Sequence, residues 1–215
     1  STMTMSGRYE VSPAQVKAAF AGDVGAVEAW LSGGGDVNKE DGLYGTLLSA
    51  ALVGSQTQMR DFLLERGARC GKSDVYCLCD EIVASPGYAD VAHLLIEHGA
   101  DPAMGRSSHS TWGTLHKLAV LASLDRTALK PTAIRCALLM RLLVERGAAV
   151  DAQLGAENNQ FGAGTTPFMI AAIYSAPVFY LRELLRLGAT LDATNARGES
   201  ALSIARTGVH PFAVA

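Results

Sequence analysis

The sequence lacks several features that would place it in a common class of protein. No apolar run is long enough to cross a membrane, and residues 1–20 do not combine a basic start with an apolar core, as a secretory leader does. Lys and Arg form no cluster, and the formal net charge is −3. These absences argue against membrane insertion, secretion by the general route, and nucleic acid as the main ligand.

Cysteine and aromatic residues are also scarce. The four cysteines, at positions 70, 77, 79 and 136, lack the even spacing of a small disulfide-stapled fold, so we expect reduced thiols in a cytoplasmic protein. Aromatic residues make up 7% of the chain, whereas alanine is abundant, and small side chains let neighbouring helices approach closely. The composition therefore favours thin layers of tightly stacked helices.

The chain does contain an internal repeat. Paired apolar residues followed by glycine, and usually then by alanine, recur with the glycine at positions 34, 67, 99, 147 and 188. The first two intervals give a basic unit of about 33 residues, and the two longer intervals indicate insertions. The period indicates a repeat architecture before any single residue is considered.

A second landmark keeps the register inside each unit. Gly22, Ser55 and Gly87 each lie 12 residues before a terminal glycine, and Ala176 holds the equivalent place in the last full unit. Apolar residues between the two landmarks fall at helical spacing, and a glycine suits the left-handed residue that ends a helix. Each unit is therefore predicted to be a helix, a tight turn, a second helix, a glycine and a polar connection.

Residues 166–192 resemble the ankyrin repeat. Thr166 and Pro167 begin a segment similar to the TPLHxAA opening of that family, and the LLRLGAT that follows is similar to its LLxxGAD closing. The resemblance covers roughly residues 12–207 and implies an all-α solenoid of helix-turn-helix units with finger-like connecting loops. Weaker copies of the opening lie at 45–52, 113–120 and 199–206.

His116 alone keeps the histidine of this opening motif. The resemblance implies a structural duty for it, because the histidine of the family joins adjacent fingers by hydrogen bonds. Ser49, Met169 and Ser203 replace it in the other units.

The register predicts five units and a half unit between two tails. We expect an N-terminal tail over 1–11 and a C-terminal tail over 208–215. The units are predicted at about 12–38, 39–71, 72–104, 105–151 and 152–192, with the half unit at 193–207.

Two insertions distinguish the later units. Residues 123–135 lie between the two helices of the fourth unit and form either a protruding loop or a lengthened helix pair. Residues 152–164 carry three glycines and two asparagines without helical periodicity, so we expect a flexible finger there. Such insertions are either binding loops or simply tolerated, since lengthening a surface loop costs little.

No residue pattern points to chemistry. Cys77 and Cys79 lie near Cys70, His93 and His98, but a structural zinc site usually shows two ligand pairs at short spacing, which is missing here. A cysteine nucleophile would need a histidine within reach and a third group to orient it, which the sequence does not indicate. We therefore predict no catalytic, cofactor-binding or metal-binding residues and no enzymatic activity.

Aromatic residues recur where the fingers enter the first helices. Tyr44, Tyr76 and Trp112 stand within one residue of the same place in successive units, and Phe161 lies in the next finger. Such rings either anchor a partner or pack on neighbouring fingers, and the sequence leaves both readings open. The candidate partner-binding residues are Leu43, Tyr44, Tyr76, Arg106, Trp112, Asn159 and Phe161.

The predicted function is protein binding without catalysis, as an adaptor, scaffold or regulator that uses the concave surface of fingers and inner helices. One alternative is a microbial effector or an inhibitor that occludes a target protein, in which case the host cytosol is its location. A metal-binding or catalytic protein is a weaker alternative. The expected partner is another protein, without nucleic acid, membrane insertion or cofactor, and the chain alone is expected to be a monomer.

Overall fold

The structure is a computed structural model that describes residues 13–40, 45–85, 87–105, 111–124, 129–156 and 160–207. Regular structure in these ranges is helical apart from two isolated β-bridges, so the predicted all-α class is confirmed. None of the described helices is both long and apolar enough to span a membrane. The helices are α1 (Pro13–Ala21), α2 (Val24–Ser32), α3 (Leu47–Val53), α4 (Thr57–Glu65), α5 (Asp74–Cys77), α6 (Cys79–Ala84), α7 (Tyr88–Glu97), α8 (Thr114–Leu124), α9 (Pro131–Glu145), α10 (Pro167–Ile173), α11 (Val178–Arg186) and α12 (Ala201–Thr207).

The chain divides into an N-terminal part, Ser1–Asp101, and a C-terminal part, Pro102–Ala215. Within each part, consecutive helices pack as hairpins, as α3 does with α4 and α8 with α9. The first helices of successive units also stack, α1 on α3 in the N-terminal part and α8 on α10 and then α12 in the C-terminal part. Each hairpin therefore buries its apolar face against its neighbour, as a repeat array requires.

Glycine ends each second helix, as predicted. The five terminal glycines all have positive φ, from +75° at Gly67 to +114° at Gly99. At the end of α4, the N–H of Gly67 donates to the carbonyl of Leu64, and the N–H of Ala68 donates to the carbonyl of Leu63. Because only glycine adopts this conformation without strain, the glycine period of the sequence predicts the helix ends correctly.

The turn between the two helices differs slightly from the predicted register. Gly22, at +80°, and Ser55, at +56°, have positive φ, but the equivalent residue of the last full unit is Ser175, at +55°, rather than Ala176. The turn from α10 to α11 holds one residue more than the turn from α3 to α4, which displaces the left-handed position. Gly87 has a negative φ of −93°.

The third unit has an irregular first helix, which is broken at Leu78 into α5 and α6. Relative to the terminal glycine of its unit, α5 begins five residues earlier than α3 does. Tyr76 consequently lies inside α5, two residues after Asp74, and not in a finger. The expectation that Tyr76 lies where a finger enters a first helix is therefore wrong, because residues expected in the third finger belong to a helix.

The insertion in the fourth unit lengthens its helices. With 11 residues in α8 and 15 in α9, both are longer than the other described helices, and residues 125–128 between them lie outside the described residues. The second insertion, 152–164, is fixed at both described ends. The N–H of Leu154 donates to the carbonyl of Thr165, and the N–H of Gly164 donates to the carbonyl of Leu154. Residues 157–159 lie outside the described part.

A valine at position 99 tests whether glycine is required at the end of the second helix. The φ of Gly99 is +114°, and an added Cβ would lie 3.2 Å from the carbonyl oxygen of Cys70. A β-branched side chain therefore meets both backbone strain and a close contact. We expect Gly99→Val to lower the free energy of unfolding by about 2 kcal/mol, measured by urea denaturation.

Gly67→Val is the matched control. The φ of Gly67 is also positive, at +75°, but a Cβ at this position would meet no atom within 4 Å. It should show the cost of backbone strain alone, about 1 kcal/mol. A urea midpoint unchanged by Gly99→Val would contradict the assigned helix end.

Candidate functional site

His116 links two fingers of the C-terminal part. Its Nδ1 accepts a hydrogen bond from the N–H of Gly113 at 3.3 Å, so its Nε2 carries the proton and donates to the carbonyl of Thr165 at 3.3 Å. The side chain is fully buried. Burial lowers the pKa of His116 to about 4, although the backbone groups of Thr165 and Ala152 oppose the shift. The imidazole is therefore neutral at physiological pH, and the bridging role implied by the resemblance is observed.

Two of the three residues that replace this histidine, Ser49 and Ser203, keep one of its hydrogen bonds. The N–H of Thr46 donates to Oγ of Ser49 at 2.9 Å, and the N–H of Ser200 donates to Oγ of Ser203 at 2.9 Å. The acceptor lies three residues after the donor in each case, as it does at His116. These contacts support the register in which the sequence analysis aligned the opening motifs.

Three aromatic rings continue from His116 in what we call the aromatic row: Trp112, Phe161 and Tyr174. The ring centroid of Trp112 lies 5.5 Å from that of His116 and 5.4 Å from that of Phe161. Phe161 lies 6.2 Å from Tyr174. Phe161 is only 5% exposed, whereas Trp112 and Tyr174 are half-buried. The row therefore presents two partly exposed rings on either side of a buried one.

Hydrogen bonds from the last finger hold the base of this row. The side-chain amide of Asn195 donates to the carbonyl of Phe161 at 3.3 Å and to Oγ1 of Thr165 at 3.3 Å. Thr165 Oγ1 donates to the carbonyl of Phe161 at 2.9 Å, and the N–H of Ala196 donates to the carbonyl of Ala163 at 2.8 Å. The backbone that carries Phe161 is thus fixed from both sides.

The structure brings together two of the predicted partner-binding residues, Trp112 and Phe161. Tyr76 belongs to the N-terminal part, where it is half-buried in α5. Tyr174 was not predicted, since it follows Phe161 at no repeat spacing and lies at the end of α10. Whether any of these side chains contacts a partner stays a prediction. Leu43, Tyr44, Arg106 and Asn159 lie outside the described residues.

Asp74 forms a buried polar contact in the N-terminal part that the sequence analysis missed. Its Oδ2 accepts from the N–H of Gly71 at 2.8 Å and from Oγ1 of Thr46 at 2.8 Å. Burial raises the pKa of Asp74, although these two hydrogen bonds oppose the shift. Burial, and secondarily the charge of Asp74, raises the pKa of the Cys70 thiol. Cys70 is therefore protonated and poorly suited to act as a nucleophile.

The described residues offer little to a metal or a small molecule. Among them, no three His, Cys, Asp or Glu side chains lie close enough together to hold a metal ion. A cleft of about 250 Å³ in the N-terminal part is lined by Leu52, Arg60, Asp90 and Leu94, among others. Pockets that enclose small ligands usually measure roughly 300–1,000 Å³. The aromatic row is thus a stronger candidate than the cleft.

Charge is distributed unevenly between the two parts of the sequence. Residues 1–101 contain 7 Lys and Arg against 14 Asp and Glu, whereas residues 102–215 contain 11 against 7. The net charges are therefore −7 and +4, within a total of −3. This asymmetry is hidden in the total charge and forms no local cluster of like charges. A count on either side of the third unit would have found it.

Comparison with solved structures identifies the fold. The ankyrin repeat domain of human ASB11 matches with a TM-score of 0.56 and 22% sequence identity, over 91% of this chain and 77% of that domain. The chain has the ankyrin-repeat fold. A chain in the structure of the predatory endopeptidase Bd0816 from Bdellovibrio bacteriovorus, in complex with the immunity protein Bd3460, matches with a TM-score of 0.55 and 21% identity, over 93% of each chain. No protein-family model and no curated protein sequence matches the chain.

The buried neutral His116 predicts acid sensitivity of this ankyrin-repeat chain. The unfolded state takes up the proton near pH 6.5, and the folded state only near pH 4. The contribution of His116 to the free energy of unfolding is therefore fully present above the pKa of the unfolded state, and it is lost as pH falls from 6.5 through 4. Between pH 7 and pH 4.5 the free energy of unfolding should fall by about 2 kcal/mol from His116 alone.

His116→Asn supplies the comparison, because asparagine can accept from the N–H of Gly113 but does not titrate. Urea denaturation of both proteins at the two pH values measures the difference. The variant, though less stable at pH 7, should lose about 2 kcal/mol less than the wild type on acidification. An equal loss in both proteins would show that His116 does not cause it.

Proposed function

We propose that this protein is a non-catalytic module that binds another protein through the fingers and first helices of its C-terminal part, a surface called here the finger face. The aromatic row is the observation that carries the proposal. Its two half-buried rings, Trp112 and Tyr174, offer large contact areas with a polar atom at the edge. Residues of this type are enriched among those that dominate binding energy at interfaces.

The rigidity of the row favours a role in binding. Trp112 packs on the buried imidazole of His116 and on Phe161, and both of those residues are tied to the finger at Thr165 by hydrogen bonds. A side chain already held in one conformation loses little entropy when a partner covers it. The contacts that brace the fingers therefore also prepare the exposed edge of Trp112 for binding.

Helix α8 extends the finger face beyond Trp112. Lys117, Leu121 and Leu124 follow one another at helical spacing, and Leu124 is 57% exposed. Lys117 and Leu121 are half-buried. The surface offered to a partner thus combines an aromatic finger with a mainly apolar helical stripe and one positive charge.

The partner is identified first, by placing a photo-crosslinking amino acid at Leu121 in the native cell. The same amino acid at Gln58, an exposed position on α4, is the matched control. A protein captured from Leu121 and not from Gln58 is expected. Equal capture at both positions would argue against the finger face.

Trp112→Ala then tests the aromatic row with that partner. We expect binding to weaken by about 2 kcal/mol, the scale of an interface hot spot, measured by calorimetry on the same preparation as a thermal melt. The ring also packs on His116, so the melting temperature should fall by a few degrees as well. If the folded fraction of the variant binds with undiminished affinity, Trp112 only stabilises the fingers and does not contribute to binding.

Inhibition of an enzyme is a second candidate. It is favoured by the similarity to a chain in the complex of the endopeptidase Bd0816 with its immunity protein. We propose that, if the captured partner is an enzyme, this chain covers its active site. Stoichiometric loss of that enzyme's activity, relieved by Trp112→Ala, is the expected result, and full activity in the saturated complex would reject occlusion. On either account we place the chain in a reducing cytosol, its own or that of a host, as a monomer before it meets its partner.

A further inference from the structure

Exposed apolar side chains are concentrated in the C-terminal part. Among the described residues, ten large hydrophobic side chains are more than about a third exposed, and nine of them lie in this part. Phe20, 47% exposed, is the exception. Isolated exposed apolar residues are normal on a protein surface, but a contiguous group usually marks an interaction site.

Five of these residues lie on the second helices α9 and α11; Leu185, near the end of α11, is one of them, and the other four form the group described here. Ile134 and Leu138 are 45% and 37% exposed and lie four residues apart on α9, so they share one face of that helix. Val178 and Phe179 are 62% and 39% exposed in the first turn of α11. We call these four residues the outer patch.

An ion pair joins the two helices that carry the outer patch. The Nε of Arg141 lies 2.7 Å from Oε1 of Glu183. Leu138 precedes Arg141 by three residues and Phe179 precedes Glu183 by four, so each lies about one helical turn before the ion pair on the same face of its helix. Helices α9 and α11 are the second helices of successive units and pack on each other, and from this placement in the repeat we infer that they run parallel. Leu138 and Phe179 are then expected to face each other across the groove between α9 and α11.

Positive charge borders the outer patch. Glu183 also pairs with Arg186 at 2.8 Å, and the hydrogen bond from Arg186 is the main reason that the pKa of Glu183 falls to about 2. Glu183 is therefore ionised, and two guanidinium groups outweigh its charge. Arg182 is exposed one turn after Val178. From Pro131 to Arg146 and from Val178 to Arg186 there are two glutamates, at 145 and 183, against five arginines, at 135, 141, 146, 182 and 186.

We propose that the outer patch binds an acidic amphipathic helix of a partner protein, at a site separate from the finger face. Two parallel helices leave a groove that the apolar stripe of a third helix can fill. Acidic residues flanking that stripe would meet Arg141, Arg182 and Arg186. The net charge of +4 over residues 102–215 would also accelerate encounter with such a helix.

Other occupants fit the patch less well. A symmetric contact with a second copy would place Arg182 and Arg186 opposite the same arginines, and like charges repel. The N-terminal part of a second copy is acidic, but Phe20 alone among its described large apolar residues is widely exposed. Residues 208–215 contain no Asp or Glu. A separate acidic helix is the occupant that matches both the apolar residues and the charge.

A designed peptide tests the proposal on the whole chain. The probe is a fluorescein-labelled peptide of roughly 21 residues with Leu at heptad positions a and d and Glu at e and g, and a second peptide carries Lys in place of Glu. Fluorescence anisotropy measures both. We expect the Glu peptide to bind at least about tenfold more tightly than the Lys peptide, and to bind more weakly as salt is raised.

Three substitutions locate the binding. Phe179→Asp should weaken binding of the Glu peptide at least about tenfold. The matched control Phe20→Asp should change the affinity for the same peptide by less than about twofold. Arg182→Glu should weaken binding of the Glu peptide and strengthen binding of the Lys peptide. Circular dichroism and thermal melts verify that each variant is folded, which is expected because all three side chains are exposed.

Several results would overturn the proposal. They are the absence of saturable binding by the Glu peptide, equal binding of both peptides, and equal effects of Phe179→Asp and Phe20→Asp. Self-association of the wild type in light scattering that Phe179→Asp abolishes would instead assign the patch to a second copy. Trp112→Ala should leave peptide binding unchanged. If Trp112→Ala weakens peptide binding, the peptide binds at the finger face and not at the outer patch. This conclusion holds whatever the outcome for the proposed function.

Discussion

The left-handed residue after each second helix is the constraint on which the rest of this structure depends. A hairpin of two short helices buries too little apolar surface to be stable alone, so each unit needs a neighbour. The chain must therefore leave every second helix at the same angle and form a finger that returns to the next first helix. Glycines such as Gly67 and Gly147, with φ of +75° and +102°, provide that exit. Once the exits repeat, His116 can bond to the following finger and Asn195 to the preceding one.

Which features could be predicted from the sequence depends on how far apart in the chain the interacting residues lie. The helix ends were predictable because they depend on residues within one unit, and the bridging role of His116 was predictable from its place in the opening motif of the resembled family. Tyr76 was misplaced in the part of the chain where Asp74, at the start of α5, accepts a hydrogen bond from Thr46, and a contact across 28 positions is not visible within one unit of the sequence. Tyr174 joins the aromatic row only through the folded finger at Phe161. Ile134 and Leu138 resemble core residues in the sequence, and their exposure is visible only after α9 and α11 are packed.

The C-terminal part has two surfaces with different physical character. The aromatic row of the finger face is fixed by ring packing and hydrogen bonds, so its shape is set before any partner arrives. The outer patch consists of aliphatic and aromatic side chains beside exposed arginines, with the side chain of Arg186 60% exposed. The first surface suits recognition by shape, and the second suits recognition by charge and apolar contact. Two partners could thus occupy this part without competing for the same residues.

The insertion in the fourth unit contributes to the outer patch. Counted back from its terminal glycine, α9 begins six residues earlier than α11, and Ile134 lies in this added segment. Deleting the added residues would shorten the outer groove while leaving Trp112, Phe161 and their hydrogen bonds intact. A single deletion in α9 would therefore change the outer patch without altering the aromatic row.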